Sequence, residues 1–264
     1  MFSAKVVIIL AAVAICYGVP SAKFYIDRLK IDGGNAAKIE DYPFVASIQV
    51  CIFGSCIHTC GGVIIDNKWI LTSSACAVES IKIVVGTADL QGDDKVLVDI
   101  DSLYVHPNAP INGTLPIVND LALIKLSNSL TFNDKVQAAK LPKKGQEFTG
   151  KAVLIGFGDS ETPKMNTLQA ALDLALTSND VCAKQLEDFF KDQQLLDNDS
   201  NVCTLSTTSN TCDTDLGSPL SQDGTVIATV SLFIQPCGSK GAPNVYTKLS
   251  TFVDWIDQTI TENS

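Results

Sequence analysis

Short apolar runs rich in Val, Ile and Phe recur along this 264-residue chain, and Gly, Asn or Asp cuts each one off early. They fall at residues 44–50, 62–65, 81–85, 96–100, 121–126, 152–156, 225–234 and 244–249. Runs of that length and punctuation suit strands, and read together as an all-β sandwich or barrel. Two segments have helical spacing instead. Residues 179–190 open on an Asn or Asp cap, and residues 251–260 place Phe252, Trp255, Ile256 and Ile260 on one face. The expected fold is therefore all-β with a C-terminal helix. The length suits one large domain or two small ones, with a crossing between halves near residues 142–145.

The N-terminus sets the compartment. Lys5 precedes an apolar run over residues 6–15, and small residues follow at Cys16 and Gly18. This pattern is that of a secretory signal peptide, with cleavage expected after Gly18 or, alternatively, after Ala22. A membrane span needs about 20 apolar residues, which this run lacks. Of nine cysteines, Cys16 would leave with the leader and eight would remain. An even set in an exported chain points to disulfides. Zinc is the competing use, yet the chain has no Cys-x-x-Cys and only two histidines, His58 and His106. No metal and no cofactor are expected.

Charge excludes further partners. Setting aside residues 1–30 removes Lys5, Lys23, Arg28, Lys30 and Asp27, which leaves 15 basic and 28 acidic residues, a net −13. Arg28 is the only arginine. A surface this acidic repels phosphate backbones, so neither nucleic acid nor an anionic membrane is an expected partner.

Seven segments, in order, carry a family resemblance. Residues 69–76 read Trp-Ile-Leu-Thr-Ser-Ser-Ala-Cys, similar to the histidine motif Trp-Val-Leu-Thr-Ala-Ala-His-Cys of trypsin-like serine proteases. Residues 119–126, Asn-Asp-Leu-Ala-Leu-Ile-Lys-Leu, resemble the segment around that family's catalytic aspartate. Residues 212–220, Cys-Asp-Thr-Asp-Leu-Gly-Ser-Pro-Leu, resemble its serine motif Cys-x-Gly-Asp-Ser-Gly-Gly-Pro-Leu. Residues 60–64, 156–158, 243–248 and 253–256 supply the remaining matches. The resemblance implies two six-stranded β-barrels with a cleft between them, the first over about residues 31–138 and the second over about 139–264. Residues 19–30 would form a propeptide. It also implies disulfides Cys60–Cys76, Cys182–Cys203 and Cys212–Cys237, with Cys51 and Cys56 left to close a small hairpin on the cleft rim.

Set against that family's mechanism, the chemistry should fail. Catalysis needs a hydroxyl, a base, a carboxylate that orients the base, and donors for the oxyanion. Leu216 stands at the nucleophile's position, Ala75 at the base's, and only Asp120 is kept. Loss of such a triad costs on the order of 10⁶ in turnover, or roughly 8 kcal/mol. The oxyanion donors would be the N–H groups of Thr214 and Leu216, and Thr214 replaces a glycine in a tight loop where a β-branched residue tolerates positive φ poorly. The specificity pocket would have Asn210 at its base and Phe233 and Asn244 in its walls, filling the slot. Ser218 should point away from the cleft, and His58 and His106 resemble ordinary structural and surface-loop positions.

Other expectations follow from the same likeness. Lys30 and Ile31 resemble an activation site, and Asp215 would receive the freed Ile31 amino group. Thr87 and Lys95 occupy positions where some relatives place calcium-binding glutamates, so no calcium is expected. Asn112 and Asn198 open Asn-x-Ser/Thr glycosylation sequons. The chain is thus identified as resembling catalytically inactive serine protease homologues of arthropods, among them inactivated mite protease paralogues thought to interfere with host complement. What this implies is a secreted monomer that binds protein partners through surface loops, with the Cys51–Cys56 loop and residues 109–118 as candidates. The alternative is a serine-type endopeptidase-like enzyme with residual or unconventional hydrolysis.

Overall fold

A computed structural model describes residues 34–52, 54–110, 117–157, 167–191, 195–205, 211, 213–234 and 241–264. The leader, Lys30, Ile31, Asn112, Asn210 and the Cys212–Cys237 pair lie outside the described residues.

Six strands close the first barrel: β2 (Val45–Ile52), β3 (Ser55–Asp66), β4 (Trp69–Thr72), β5 (Ile81–Val85), β6 (Val96–Val105) and β7 (Ala122–Leu126). Their order is β2-β3-β4-β7-β6-β5, and β5 returns to pair with β2. The second barrel holds β8 (Lys151–Gly156), β9 (Gln169–Thr177), β10 (Asn201–Leu205), β11 (Pro219–Gln222), β12 (Thr225–Leu232) and β13 (Asn244–Lys248). It runs β9-β10-β13-β12-β11-β8 and closes through β8 onto β9. The short β1 (Asn35–Ala36) adds to β9 of this second barrel. Every strand pairing is antiparallel, as short connections between consecutive strands allow.

Local chemistry explains several boundaries. Asp223 (φ 48°) and Gly224 (φ 73°) both take positive φ between β11 and β12, the two-residue turn whose twist matches flanking strands. Helix α1 (Asn179–Leu186) stops four residues short of the expected end and is capped by Ser178, whose oxygen accepts the Val181 N–H, rather than by an Asn or Asp. Helix α2 (Leu249–Glu262) extends the expected C-terminal helix at both ends. It has no side-chain cap, so packing holds it. Phe252 and Ile256 are buried in a core shared with Trp69, Leu121 and Phe157, and each such burial contributes roughly 1.5–3 kcal/mol. The His106 ring packs 5.3 Å from Phe252 and 5.0 Å from Trp255. A histidine expected merely on a surface loop therefore ties the first barrel to the terminal helix.

Three disulfides join described residues: Cys51–Cys56, Cys60–Cys76 and Cys182–Cys203. The first crosses directly paired positions of β2 and β3 near the hairpin tip. These are the partners expected for all six residues.

Candidate functional site

The loop after β4 turns sharply. Ser73 caps a single 3-10 turn, Ser74–Cys76, with its oxygen accepting the Ala75 N–H at 3.3 Å. That geometry leaves the Ala75 methyl exposed and brings two serines against Asp120, which is buried just ahead of β7. The Ser73 hydroxyl donates to the Asp120 carboxylate at 2.7 and 2.9 Å, the Ser74 N–H at 2.8 Å and the Ser74 hydroxyl at 2.5 Å. The Asp120 carbonyl also accepts the Thr247 hydroxyl of the second barrel at 2.9 Å. Sequence reasoning left Asp120 without a role. The structure instead gives it three donors from positions 73 and 74, where the resembling motif has two alanines.

Leu216 follows the 3-10 turn Asp213–Asp215. Its carbonyl accepts the Gly61 N–H at 2.8 Å and lies 3.6 Å from Cys76 Sγ. The half-buried side chain packs against the cores of both barrels. The two neighbours of Ala75 thus reach the other two positions, Ser74 touching Asp120 and Cys76 touching Leu216. Thr214 sits in the middle of its 3-10 turn and takes helical rather than left-handed backbone angles.

The two glycines beside Leu216 are required by close contact. Gly217 has φ 76°, and a Cβ there would lie 2.2 Å from Thr72 Oγ1 and 2.5 Å from the Gly61 carbonyl. A Cβ on Gly61 would meet Ser218 Oγ at 2.0 Å. Ser218 is thus fully buried and faces Gly61, and among the described residues its hydroxyl has no hydrogen-bond partner. Gly217→Ala combines left-handed strain with a backbone clash. We expect it to cost more than about 2 kcal/mol in urea unfolding; an unchanged midpoint would contradict this packing.

Asn244, expected in the wall of a specificity pocket, lies in a buried hydrogen-bond network. Asn244 is buried, and its Oδ1 accepts the Thr211 N–H at 2.8 Å and the Thr211 hydroxyl at 3.2 Å. Its Nδ2 donates to Thr204 Oγ1 at 3.4 Å, and that oxygen lies 3.0 Å from the Tyr246 hydroxyl. Burial raises the Tyr246 phenol far above its ordinary range, and the nearby Asp215 adds to the effect. Phe233, just after β12, is half-buried. Asp215 itself is completely buried.

His58 belongs to a different cluster. It is buried, 2.8 Å from the Ser47 hydroxyl and 5.8 Å between ring centroids from Phe157. Burial pushes its pKa down to about 4, against a smaller opposing effect of the Thr214 backbone. Sequence reasoning missed Ser47 as its partner. At the loop considered for calcium, the Lys95 ammonium donates to the Leu90 carbonyl at 2.9 Å and Thr87 donates to Asp94 at 2.7 Å. Among the described residues no group of three or more His, Cys, Asp or Glu is placed to hold a metal.

Comparison with known proteins now bears on the whole arrangement. The family model described as Trypsin matches residues 31–256. The chain is 30% identical to human (Homo sapiens) chymotrypsin-like elastase family member 3B, with 96% of each chain covered. It is 32% identical to proproteinase E of Bos taurus over 89% of this chain and 96% of that one. It is 29% identical to epidermal growth factor-binding protein type B of Mus musculus, over 89% and 91%. Two closed six-stranded barrels, a C-terminal helix and matches that run almost end to end leave one assignment: the chain belongs to the trypsin-like serine protease family.

Proposed function

We propose that the chain is a secreted, non-catalytic member of this family that works by binding proteins, modulating a proteolytic cascade such as host complement. One observation carries the reading. The positions for nucleophile and base hold only carbon at Leu216 and Ala75, and the remaining Asp120 carboxylate is taken up by Ser73 and Ser74. Supporting features are the buried, hydrogen-bonded Asn244 at an expected pocket wall and the 3-10 turn that holds Thr214. Three disulfides suit an extracellular location. Protein binding has a precedent in the mouse relative, an epidermal growth factor-binding protein.

The binding surface on this reading is the disulfide-closed tip of β2 and β3. Ile52 is 61% exposed and Ile57 67%. Their register places both on the face of Val50, and exposed apolar contacts of this kind mark interaction sites. Loops on a rigid scaffold commonly carry recognition. Of residues 109–118, the other candidate, positions 111–116 lie outside the described residues.

One observation favours residual hydrolysis: the Ser74 hydroxyl lies 2.5 Å from a carboxylate. That carboxylate is shared with the Ser73 hydroxyl and the Ser74 N–H, which hold it as a structural acceptor, so binding remains the better reading. The test is a serine-directed fluorophosphonate together with a panel of peptide and ester substrates, with trypsin as the positive control. The expected result is no labelling and no turnover above solvent. Labelling of the purified chain, or turnover abolished by Ser74→Ala, would overturn the proposal.

A further inference from the structure

The sequon at Asn198 sits on a turn that the fold pins from several sides. The Asn201 N–H donates to the Asp197 carbonyl at 2.9 Å, and the Ser200 hydroxyl and N–H donate to the Asp197 carboxylate at 2.9 and 3.2 Å. Asn179, in the first turn of α1, donates to the Asn201 carbonyl at 3.0 Å. The Lys248 N–H donates to the Ser200 carbonyl at 2.9 Å, and the Thr251 hydroxyl of α2 donates to the Asp199 carbonyl. Ser200 is buried, while Asn198 stays exposed at the crest.

Asn198 is also part of the lining of a 530 Å³ cavity on the outer side of the second barrel. Ala75, Asp120 and Leu216 do not line it. Its lining joins apolar Phe148, Leu176 and Val202, packed against that barrel's core, to polar Asp180, Asp199 and Lys248, the last ion-paired to Glu147. A pyranose has the same division, with a C–H face beside an edge of hydroxyls, and pockets that bind small molecules combine an apolar lining with a few polar groups.

We infer that Asn198 carries an N-linked oligosaccharide and that its first sugar lies in this cavity, over Phe148. The inference rests on the extracellular reading above. In the transfer, the Asn198 Nδ2 forms a bond to the anomeric carbon of the first sugar. The bond from that carbon to the diphosphate of a lipid-linked donor breaks, the lipid diphosphate leaves with the electron pair, and Nδ2 gives up one proton. Because the Ser200 hydroxyl is buried and engaged in the folded turn, the transfer precedes closure of that turn, during export.

The experiment uses the full chain, with Asn112→Gln to confine the readout to one sequon, secreted from a eukaryotic host that adds high-mannose glycans. Peptide N-glycosidase converts a modified Asn198 to Asp, which peptide mapping detects. Hydrogen exchange is then compared between the intact form, a form trimmed to one sugar by an endoglycosidase, and Asn198→Gln. The expected result is a modified Asn198, with amides 176–180 and 201–202 equally protected in the intact and one-sugar forms and several-fold less protected in Asn198→Gln. Secretion with Asn198 unmodified would overturn the inference alone. Equal protection in all three forms would overturn the placement of the sugar. A chain that never leaves the cell would overturn the extracellular reading as well.

Discussion

Asp120→Ala should lower the unfolding free energy by about 3–5 kcal/mol, among the largest effects a single substitution produces in a domain of this kind. The carboxylate accepts the Ser73 hydroxyl, the Ser74 N–H and the Ser74 hydroxyl. Removing it strands those donors where Ser73 is completely buried. Each stranded group costs roughly 1–3 kcal/mol, and Ser74, half-buried, recovers part of its share from water. Asp120→Asn keeps one acceptor oxygen and should lose about half as much. Ser73→Ala alone should cost about 1–2 kcal/mol, and combining it with Asp120→Ala should cost clearly less than the sum, because both changes delete one bond. Equilibrium urea unfolding measures all of these. Were Asp120→Ala to unfold within about 1 kcal/mol of the parent, or the two changes to add, the serines would not be holding that carboxylate.

The second large effect is acid destabilisation through His58. Its ring is neutral in the folded chain, with its pKa depressed by burial to about 4, whereas an unfolded histidine titrates near about 6.5. As pH falls through about 6.5 the unfolded chain takes up a proton that the folded chain refuses, so stability declines from there until about pH 4. The gap amounts to about 3 kcal/mol. Above about pH 6.5 both states carry neutral imidazole and this contribution is flat. His106 shifts the same way for the same reason, burial against α2, and steepens the decline. Asp94, held below its ordinary value by Lys135 and Thr87, acts only at lower pH, where unfolded carboxylates begin to protonate. Urea midpoints for the parent and His58→Gln should therefore converge between about pH 7 and about pH 4.5, because only the parent carries this penalty. Parallel curves over that interval would show that His58 accepts its proton without resistance.

Much of this was readable in the residues. The strands of the first barrel other than β4 follow alternating or continuous runs of β-branched residues, Cys60–Cys76 and Cys182–Cys203 pair as the resemblance implies, and the left-over Cys51 and Cys56 close their hairpin as expected. β9 escaped notice because Gln169–Thr177 is rich in Ala and Leu, which favour helix locally. Its strand state comes from pairing with β8 and β10. β11 and β12 meet across Asp223-Gly224, a hairpin signal present in the sequence and passed over. At the site, the identities of Ala75 and Leu216 were plain, and so was Ser73-Ser74 where the motif has alanines. That those hydroxyls meet Asp120 was not, because 46 or 47 residues separate the partners. Asn244 reads as a bulky wall, but its hydrogen bonds depend on β10 lying beside β13, which sets Thr204 opposite it.

Leu216 has a consequence for how the chain can change. In its place between two apolar cores, the side chain works as a peg that fastens one barrel to the other. Exchanging it for serine removes buried hydrocarbon at once, a loss of order 2 kcal/mol, before Ala75, Asn244 or the turn at Thr214 has been altered. On the non-catalytic reading this step back toward chemistry is uphill in stability, and at position 216 the inert state behaves as a ratchet.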